Sequence, residues 1–236
     1  MLFMPKRTVI YSGIGVSERT LRYWQNLFDT FDLGELDRVD DKSFSHKRIA
    51  GSDLLVLPGG DSREMCLGLG AAGKEAIRRY VNEGGTLLGV CAGAYAVSQQ
   101  LPQFLAVSPI AIADYPHAHR GTKNIKVRFN ALGAEWFNVE EGKDFEFFYH
   151  HGPVPIYVPT ANCGDFQVLA IFQEDFRRKD GLPGTMVGRP AAWSNRFGQG
   201  RVFAISPHIE QTPQKEYILA EMVWKISEIF QEKTIL

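Results

Sequence analysis

The sequence predicts one α/β domain in which parallel strands form a central sheet and helices cover both of its faces. Apolar runs such as 53–57 and 85–90 are continuous rather than alternating, as in strands buried on both sides. Segments of helical periodicity lie between these runs, and glycine-rich turns separate the two kinds of element. A chain of 236 residues, 44% hydrophobic and 22% charged, is long enough to cover such a sheet as a single domain over 1–236.

The first half of the chain alternates strands and helices regularly. This alternation favours right-handed crossovers between parallel strands. The expected elements are a strand at 6–12, a helix capped by Ser17 with Leu21, Trp24, Leu27 and Phe31 on one face, a strand at 53–57, a helix at 74–82 and a strand at 85–90.

The second half is less regular, with short strands separated by turns rich in Pro and Gly. Strands are expected at 123–129, 145–149, 167–172, 186–193 and 201–205, a hairpin loop at 195–200, and after Pro213 a closing helix with Ile218, Met222, Ile226 and Ile229 on one side. The irregular stretch 102–120, rich in Ala, Pro and His, is predicted to be an insertion or a mobile loop.

Charge and cysteine content limit the possible partners. There are 26 basic and 27 acidic residues, giving a formal net charge of −1 without a long run of one sign. This balance argues against a nucleic-acid or anionic-membrane partner, so we expect a small-molecule substrate. Cys66, Cys91 and Cys163 lie far apart without CxxC spacing, which indicates neither a disulfide framework nor a zinc site.

The beginning of the sequence, MLFMPKRTVIYSG, contains no long apolar segment of the kind found in signal peptides. No apolar run elsewhere approaches the roughly 20 residues of a membrane span. We therefore expect a protein of the reducing cytoplasm.

Residues that follow strands deserve attention because open α/β sheets bind ligands at the carboxyl ends of their strands. Cys91 lies where the strand 85–90 is expected to give way to a helix, among the small residues Gly89, Ala92 and Gly93. A sharp strand-to-helix turn presents its side chain above the sheet and tolerates only small neighbours. The helix start favours a thiolate and offers N–H groups to an oxyanion. The sequence therefore favours Cys91 as a nucleophile over a small buried core residue.

His208 and Glu210 follow the last predicted strand, two residues apart. In extended backbone such side chains point the same way, so Glu210 could orient the imidazole of His208. A nucleophilic thiol needs such a base, and the base needs a partner that fixes its tautomer. The alternative is that His208 and Glu210 are solvated residues of a loop. The occurrence of both residues in a chain with a predicted nucleophile at Cys91 disfavours this alternative.

Two further strand ends complete the predicted site. Gly59 and Gly60, followed by Asp61, permit close approach to a ligand, and Gly60 could supply an oxyanion donor beside the N–H of Ala92. Tyr149, His150 and His151 end another strand and are expected to line a pocket. Metal binding is disfavoured because adjacent side chains point apart on a strand and no matching carboxylate is evident. No cofactor is implied.

The segments PGGDS, GVCAG and SPHIE, in this order, resemble the class I glutamine amidotransferases. With IYSGIGVS and FYHHGPV, they are most similar to stand-alone relatives of the biotin-protein ligase N-terminal domain. The resemblance implies a flavodoxin-like three-layer fold with mixed sheet edges. It also implies Cys91 as nucleophile, His208 as base and acid, Glu210 as its orienting partner, and Gly60 with Ala92 as oxyanion donors.

Tyr95 departs from the family pattern, since glutamine-hydrolysing members usually carry Gln there, and this argues against free glutamine as the substrate. No GRGRRG-like segment for biotin ligation is present. The sequence therefore predicts a Cys-His-Glu amidase or hydrolase acting on a small carboxamide or related acyl compound. If ammonia is the useful product, a separate acceptor enzyme would receive it. The alternatives are a non-catalytic binding or regulatory module, in which Tyr95 crowds the pocket, and a redox-responsive Cys91.

Overall fold

A computed structural model describes residues 7–113, 121–176 and 184–234 of the chain, with side chains described up to residue 228. The described helices are α1 (Glu18–Phe31), α2 (His46–Ile49), α3 (Ser62–Asn82), α4 (Ala92–Ala96), α5 (Ala131–Phe137) and α6 (Glu216–Thr234). The described strands are β1 (Thr8–Tyr11), β2 (Leu36–Val39), β3 (Leu54–Leu57), β4 (Thr86–Val90), β5 (Ile110–Ile112), β6 (Thr122–Phe129), β7 (Asp144–His150), β8 (Pro155–Tyr157), β9 (Cys163–Phe172), β10 (Pro190–Phe197) and β11 (Gly200–Ile205).

Nine of the described strands form one sheet in the order β2-β1-β3-β4-β11-β10-β9-β6-β7. The first five of these pair in parallel, so their carboxyl ends share one edge of the sheet. The remaining four pair antiparallel, and this alternation returns the end of β7 to the same edge. That shared edge is where ligands bind in open α/β sheets.

The core has two parts, one on each face of the sheet. Ile10, Val56 and Leu88 belong to the cluster that packs against α1, α5 and α6. Their neighbours along the strands, such as Leu55 and Leu87, belong to the cluster that packs against α3 and α4. Because both faces of the strands are covered, the strand sequences are continuously apolar. The predicted three-layer α/β fold is confirmed.

Several elements lie outside the predicted set because they are short or carry a weak pattern. The edge strand β2 is half-exposed, α2 has four residues and α5 seven, so none shows a clear period. The helix predicted at 74–82 begins twelve residues earlier, at Ser62, and was obscured by a kink at Gly70, whose φ is 59°. The strand predicted at 186–193 begins at Pro190, since Met186 to Arg189 form a turn.

The stretch 102–120 is predicted to be an insertion or a mobile loop; residues 102–113 are packed against the core and so are not a mobile loop, while 114–120 lie outside the described residues. Phe104, Leu105 and Val107 are fully buried against α3 and α4. Ile110–Ile112 is strand β5, which pairs with β8. This stretch is irregular in sequence, yet it covers one face of the sheet as part of the core. The predicted contact of Ile229 also lies outside the described side chains.

Within the described ranges, no helix combines the length and the hydropathy that a membrane span requires.

Candidate active site

Cys91 lies on a strained turn between β4 and α4. Its backbone has φ 50° and ψ −99°, a region that residues with a side chain rarely adopt. The N–H of Cys91 donates to the carbonyl of Ile205 at 2.9 Å, which ties this turn to the end of β11. The turn thus holds the thiol at the carboxyl edge of the sheet, as the sequence predicted.

The small residues around Cys91 are required by the packing of this turn. A Cβ on Gly89 would come within 2.6 Å of the Gly93 carbonyl carbon. A Cβ on Gly93 would overlap the carbonyl of Leu57 at the end of β3. The glycines therefore let α4 fold back closely over β3 and β4. Because α4 has only five residues, its dipole contributes less to the thiol than the sequence suggested.

His208 and Glu210 lie on the segment that follows β11. The N–H of His208 donates to the carbonyl of Phe148 on β7 at 2.7 Å. The hydroxyl of Thr212 donates to the His208 carbonyl at 2.7 Å and accepts from the N–H of Phe148 at 3.0 Å. These backbone bonds hold the segment against β7 and orient the imidazole toward Cys91.

Glu210 holds the inner nitrogen of the imidazole. Its Oε1 lies 2.7 Å from Nδ1 of His208, and the Nε2 of Gln211 donates to the same oxygen at 3.2 Å. His208 and Glu210 are 4% and 1% exposed, so water does not weaken this pair. The other carboxylate oxygen, Oε2, is buried without a hydrogen-bond partner among the described residues. Its charge is therefore balanced chiefly by the imidazole.

Cys91 faces the other side of the same ring. Burial alone lowers the pKa of His208, but the sulfur of Cys91 and the carboxylate of Glu210, through charge and hydrogen bonds, raise it well above its ordinary value. The Cys91 thiol also donates to the carbonyl of His150 at 3.4 Å. The arrangement favours the charged form of the imidazole, which lies between the sulfur and the carboxylate.

A cavity of about 300 Å³ opens in front of this group. Its described lining is Ser17, Arg19, Thr20, Gly60, Cys91, Phe148, His150, His208 and Gln211. The volume lies at the lower end of the range typical of small-molecule sites. Ser17, Arg19 and Thr20 are cavity residues that the sequence does not predict, because an N-cap pattern is an ordinary helix signal. Phe148 and Gln211 are not predicted either, because their positions depend on the pairing of two distant segments.

The glycine-rich turn after β3 supports the site in two ways. Gly59 packs under the His208 ring, where any Cβ would overlap the imidazole. Gly60 lines the cavity with φ +153° and contacts the carbonyl of Gly15, which leaves no room for a side chain. Asp61 does not line the cavity: its carboxylate accepts from the N–H groups of Arg63 and Glu64 and so caps α3. The structure thus gives Asp61 a helix-capping role in place of substrate contact.

Tyr95 and Tyr149 are buried and do not line the cavity. The Tyr95 hydroxyl donates to the carbonyl of His151 at 3.0 Å, and the Tyr149 hydroxyl donates to the carbonyl of Gly152 at 2.6 Å. Both side chains anchor the turn that follows β7. Neither side chain belongs to the described lining of the cavity, and their contact with substrate stays a prediction.

His150 lines the cavity, whereas His151 does not. Burial, together with the charges of His151 and His208, lowers the pKa of His150, and its Nδ1 bonds to the hydroxyl of Thr122. The expectation that the two rings point apart is wrong: His151 has φ 51°, and the ring centroids are 4.8 Å apart. The described His, Cys, Asp and Glu residues form no group of three that could hold a metal ion.

Comparisons with known proteins place the chain in a family and a fold. Residues 7–106 match the family model of the biotin-protein ligase N-terminal domain. An uncharacterized protein from Chlamydia muridarum is 35% identical over 230 residues, which cover 89% of this chain and 82% of the relative.

The solved structures show the shared fold at low sequence identity. One chain in the structure of PurLQS from Thermotoga maritima is similar at a TM-score of 0.66 and 15% identity, covering 93% of this chain and 98% of that chain. A GMP synthase subunit from Thermoplasma acidophilum is similar at a TM-score of 0.65 and 15% identity. The match covers 99% of this chain and 100% of that chain. The chain thus belongs to the same family as the chlamydial protein, has the class I glutamine amidotransferase-like fold, and is related over residues 7–106 to the biotin-protein ligase N-terminal domain.

Proposed function

We propose that this protein is a cysteine-dependent amidase that hydrolyses a small carboxamide or related acyl compound. One observation carries the proposal: the imidazole of His208 lies between the Cys91 sulfur and the Glu210 carboxylate, at the wall of a cavity of about 300 Å³. A nucleophile, a base and a group that orients the base are the parts that acyl transfer requires.

In the first step, His208 already holds the proton that the Cys91 thiol has given up, and the sulfur attacks the acyl carbon of the amide. The C–N bond of the resulting tetrahedral intermediate breaks as the imidazolium returns a proton to the leaving nitrogen. The products of this step are ammonia, for a primary amide, and a thioester on Cys91. Glu210 keeps the imidazole in the tautomer that makes this proton transfer possible.

In the second step, His208 accepts a proton from water, which attacks the thioester. The C–S bond breaks, the thiol is restored and a carboxylic acid leaves. The N–H groups of Gly60 and Ala92 are the proposed donors to the oxyanion in both steps. Gly60 lines the cavity, and Ala92 begins α4 directly after the nucleophile.

One observation that motivates the alternative of a non-catalytic binding module is that Tyr95 is expected to crowd the pocket. Tyr95 packs in the core, and its hydroxyl donates to the His151 carbonyl. The position of Tyr95 therefore does not favour the alternative. If ammonia is the useful product, we propose that a separate acceptor enzyme binds over the mouth of the cavity and receives it.

The test measures ammonia release from a panel of small primary amides that differ in charge: butyramide, glutaramate, glutamine and protonated 5-aminopentanamide. The wild type should hydrolyse at least one of them, and Cys91→Ala should lose about a thousandfold or more of that rate. Cys66→Ala and Cys163→Ala are matched controls, because both cysteines are buried outside the cavity.

Iodoacetamide labelling followed by peptide mass spectrometry provides a second measurement. Label should concentrate on Cys91, since burial raises the pKa of Cys66 to about 11 and also raises that of Cys163. Ammonia release that persists at wild-type rate in Cys91→Ala would contradict the proposal, as would the absence of turnover across the whole panel.

A further inference from the structure

We infer that the substrate carries a negatively charged group beside its reacting carbonyl and lacks a free ammonium group, and that Arg19 binds the negative charge. This inference rests on the proposed function, because it names the substrate class of the same cavity. It comes from the part of the cavity lining that belongs to the start of α1. We call this part the α1 wall, formed by Ser17, Arg19 and Thr20.

The α1 wall presents one cation and two hydroxyls to the cavity. Ser17 caps α1 by accepting from the N–H of Thr20 at 3.1 Å, and the two hydroxyls lie 3.0 Å apart. These bonds fix the wall at the start of a 14-residue helix. Arg19, which lines the cavity, therefore stands on a rigid helix start.

Arg19 is held by an aromatic side chain and not by an acid. Its Nη2 lies 3.4 Å from the hydroxyl of Tyr23, and its guanidinium carbon lies 5.8 Å from the centre of that ring. Among the described residues, no carboxylate lies within ion-pair distance of Arg19. Its donors can therefore bind an incoming carboxylate, for which the planar guanidinium has matching geometry.

The acidic residues near the cavity are all engaged elsewhere. Glu18 pairs with Arg38 at 3.4 Å, and Asp61 caps α3. Glu210 is buried behind the imidazole. No Asp or Glu belongs to the described lining of the cavity.

A substrate ammonium would therefore meet the cation of Arg19, and no carboxylate in the described lining could pair with it. An anion would instead meet the favourable charge of Arg19. Since the cavity volume is about 300 Å³, the class that fits is a short molecule such as the monoamide of a dicarboxylic acid. Free glutamine, which carries an ammonium, fits less well.

The experiment compares how fast Cys91 is alkylated by iodoacetate, which is anionic, and by iodoacetamide, which is neutral and nearly the same size. In both reactions the sulfur forms a bond to the methylene carbon and iodide leaves. The quantity compared is the rate constant for iodoacetate divided by the rate constant for iodoacetamide. Differences in thiol reactivity between variants cancel in this ratio. We expect Arg19→Gln to lower this ratio about five- to tenfold, while Arg19→Lys retains most of it.

Arg22→Gln is the matched control, because Arg22 is exposed on the same helix and does not line the cavity. Its ratio should equal that of the wild type. An unchanged ratio in Arg19→Gln would overturn the inference even if amidase activity is present. Failure of both reagents to label Cys91 would overturn it as well, because the cavity would then not lead to the thiol.

Turnover separates this inference from the proposed function. The wild type should prefer glutaramate over butyramide and over protonated 5-aminopentanamide, and Arg19→Gln should reduce that preference by a similar factor. If no amide is hydrolysed while the alkylation ratio still depends on Arg19, the amidase proposal fails and the anion site stands. If amides are hydrolysed with a preference for the cationic one, the anion site fails and the amidase proposal stands.

Discussion

The two sides of the cavity differ in nearly every physical respect. Cys91, His208 and Glu210 are at most 5% exposed, and each is fixed by backbone or side-chain hydrogen bonds. On the α1 wall, by contrast, Ser17 and Arg19 are exposed. The buried side creates a low-dielectric setting in which charge interactions are strong, whereas the exposed side is open to solvent and to arriving molecules.

In the proposed amidase, this contrast means that catalysis and substrate recognition belong to different elements. Substitutions on the buried side should reduce the rate for every substrate. Substitutions on the α1 wall should instead change the choice among substrates. Measurements on purified protein can test this difference between the two sides of the cavity.

The largest effect is expected from Glu210→Gln. The variant keeps the shape of the side chain but replaces an oxygen with a group that can donate to Nδ1 and stabilise the wrong imidazole tautomer. We expect kcat for amide hydrolysis to fall about 10²- to 10⁴-fold with little change in KM. Glu75→Gln, on the exposed face of α3, should behave like the wild type. A Glu210→Gln enzyme within threefold of wild type would remove Glu210 from the mechanism.

A smaller effect, in opposite directions, is expected from the two cavity histidines. The pKa of His208 is raised well above 6.5, so its contribution to stability is complete below about pH 6.5 and is lost as the pH rises through the folded-state pKa. The pKa of His150 is lowered, so its contribution is complete above about pH 6.5 and is lost as the pH falls through the folded-state pKa.

Urea denaturation across pH 5 to 9 measures this difference. His208→Gln should remove a decline in the free energy of unfolding on the alkaline side. His150→Gln should remove a smaller decline on the acidic side. The pH slope, and not the absolute stability, is the readout, because either substitution also alters packing. Identical pH slopes in wild type and His208→Gln would contradict the charged imidazole inferred here.

The smallest effect is expected from Tyr95→Phe, which tests whether the hydroxyl of Tyr95 stabilises the turn at His151 beside the cavity. Loss of its bond to the His151 carbonyl should lower the free energy of unfolding by about 1 kcal/mol. Substrate preference should be unchanged, because Tyr95 does not line the cavity. Tyr217→Phe is a control at an exposed position, 43% accessible, and should change stability by less than about 0.5 kcal/mol. A change in substrate preference in Tyr95→Phe would place this side chain in the site after all.

The three cysteines show how far local sequence carries information about the site. Cys91 could be singled out because the glycines beside it are needed for a close strand-to-helix turn, and such a turn is encoded within a few residues. Cys66 and Cys163 lack that setting, and burial raises the pKa of each. Composition alone would not have separated them.

Sequence sufficed for the α/β class, for the strands of the parallel half and for the elbow at Cys91, because periodicity and turn chemistry act over a few neighbouring residues. Folding in three dimensions settled what depends on distant contacts: the pairing of His208 with Phe148, the approach of Arg19 to the cavity, and the burial of Tyr95. Tyr95 and Asp61 looked like site residues because they lie next to site residues in the chain. Their hydroxyl and carboxylate were drawn instead to backbone groups that the fold had left without partners.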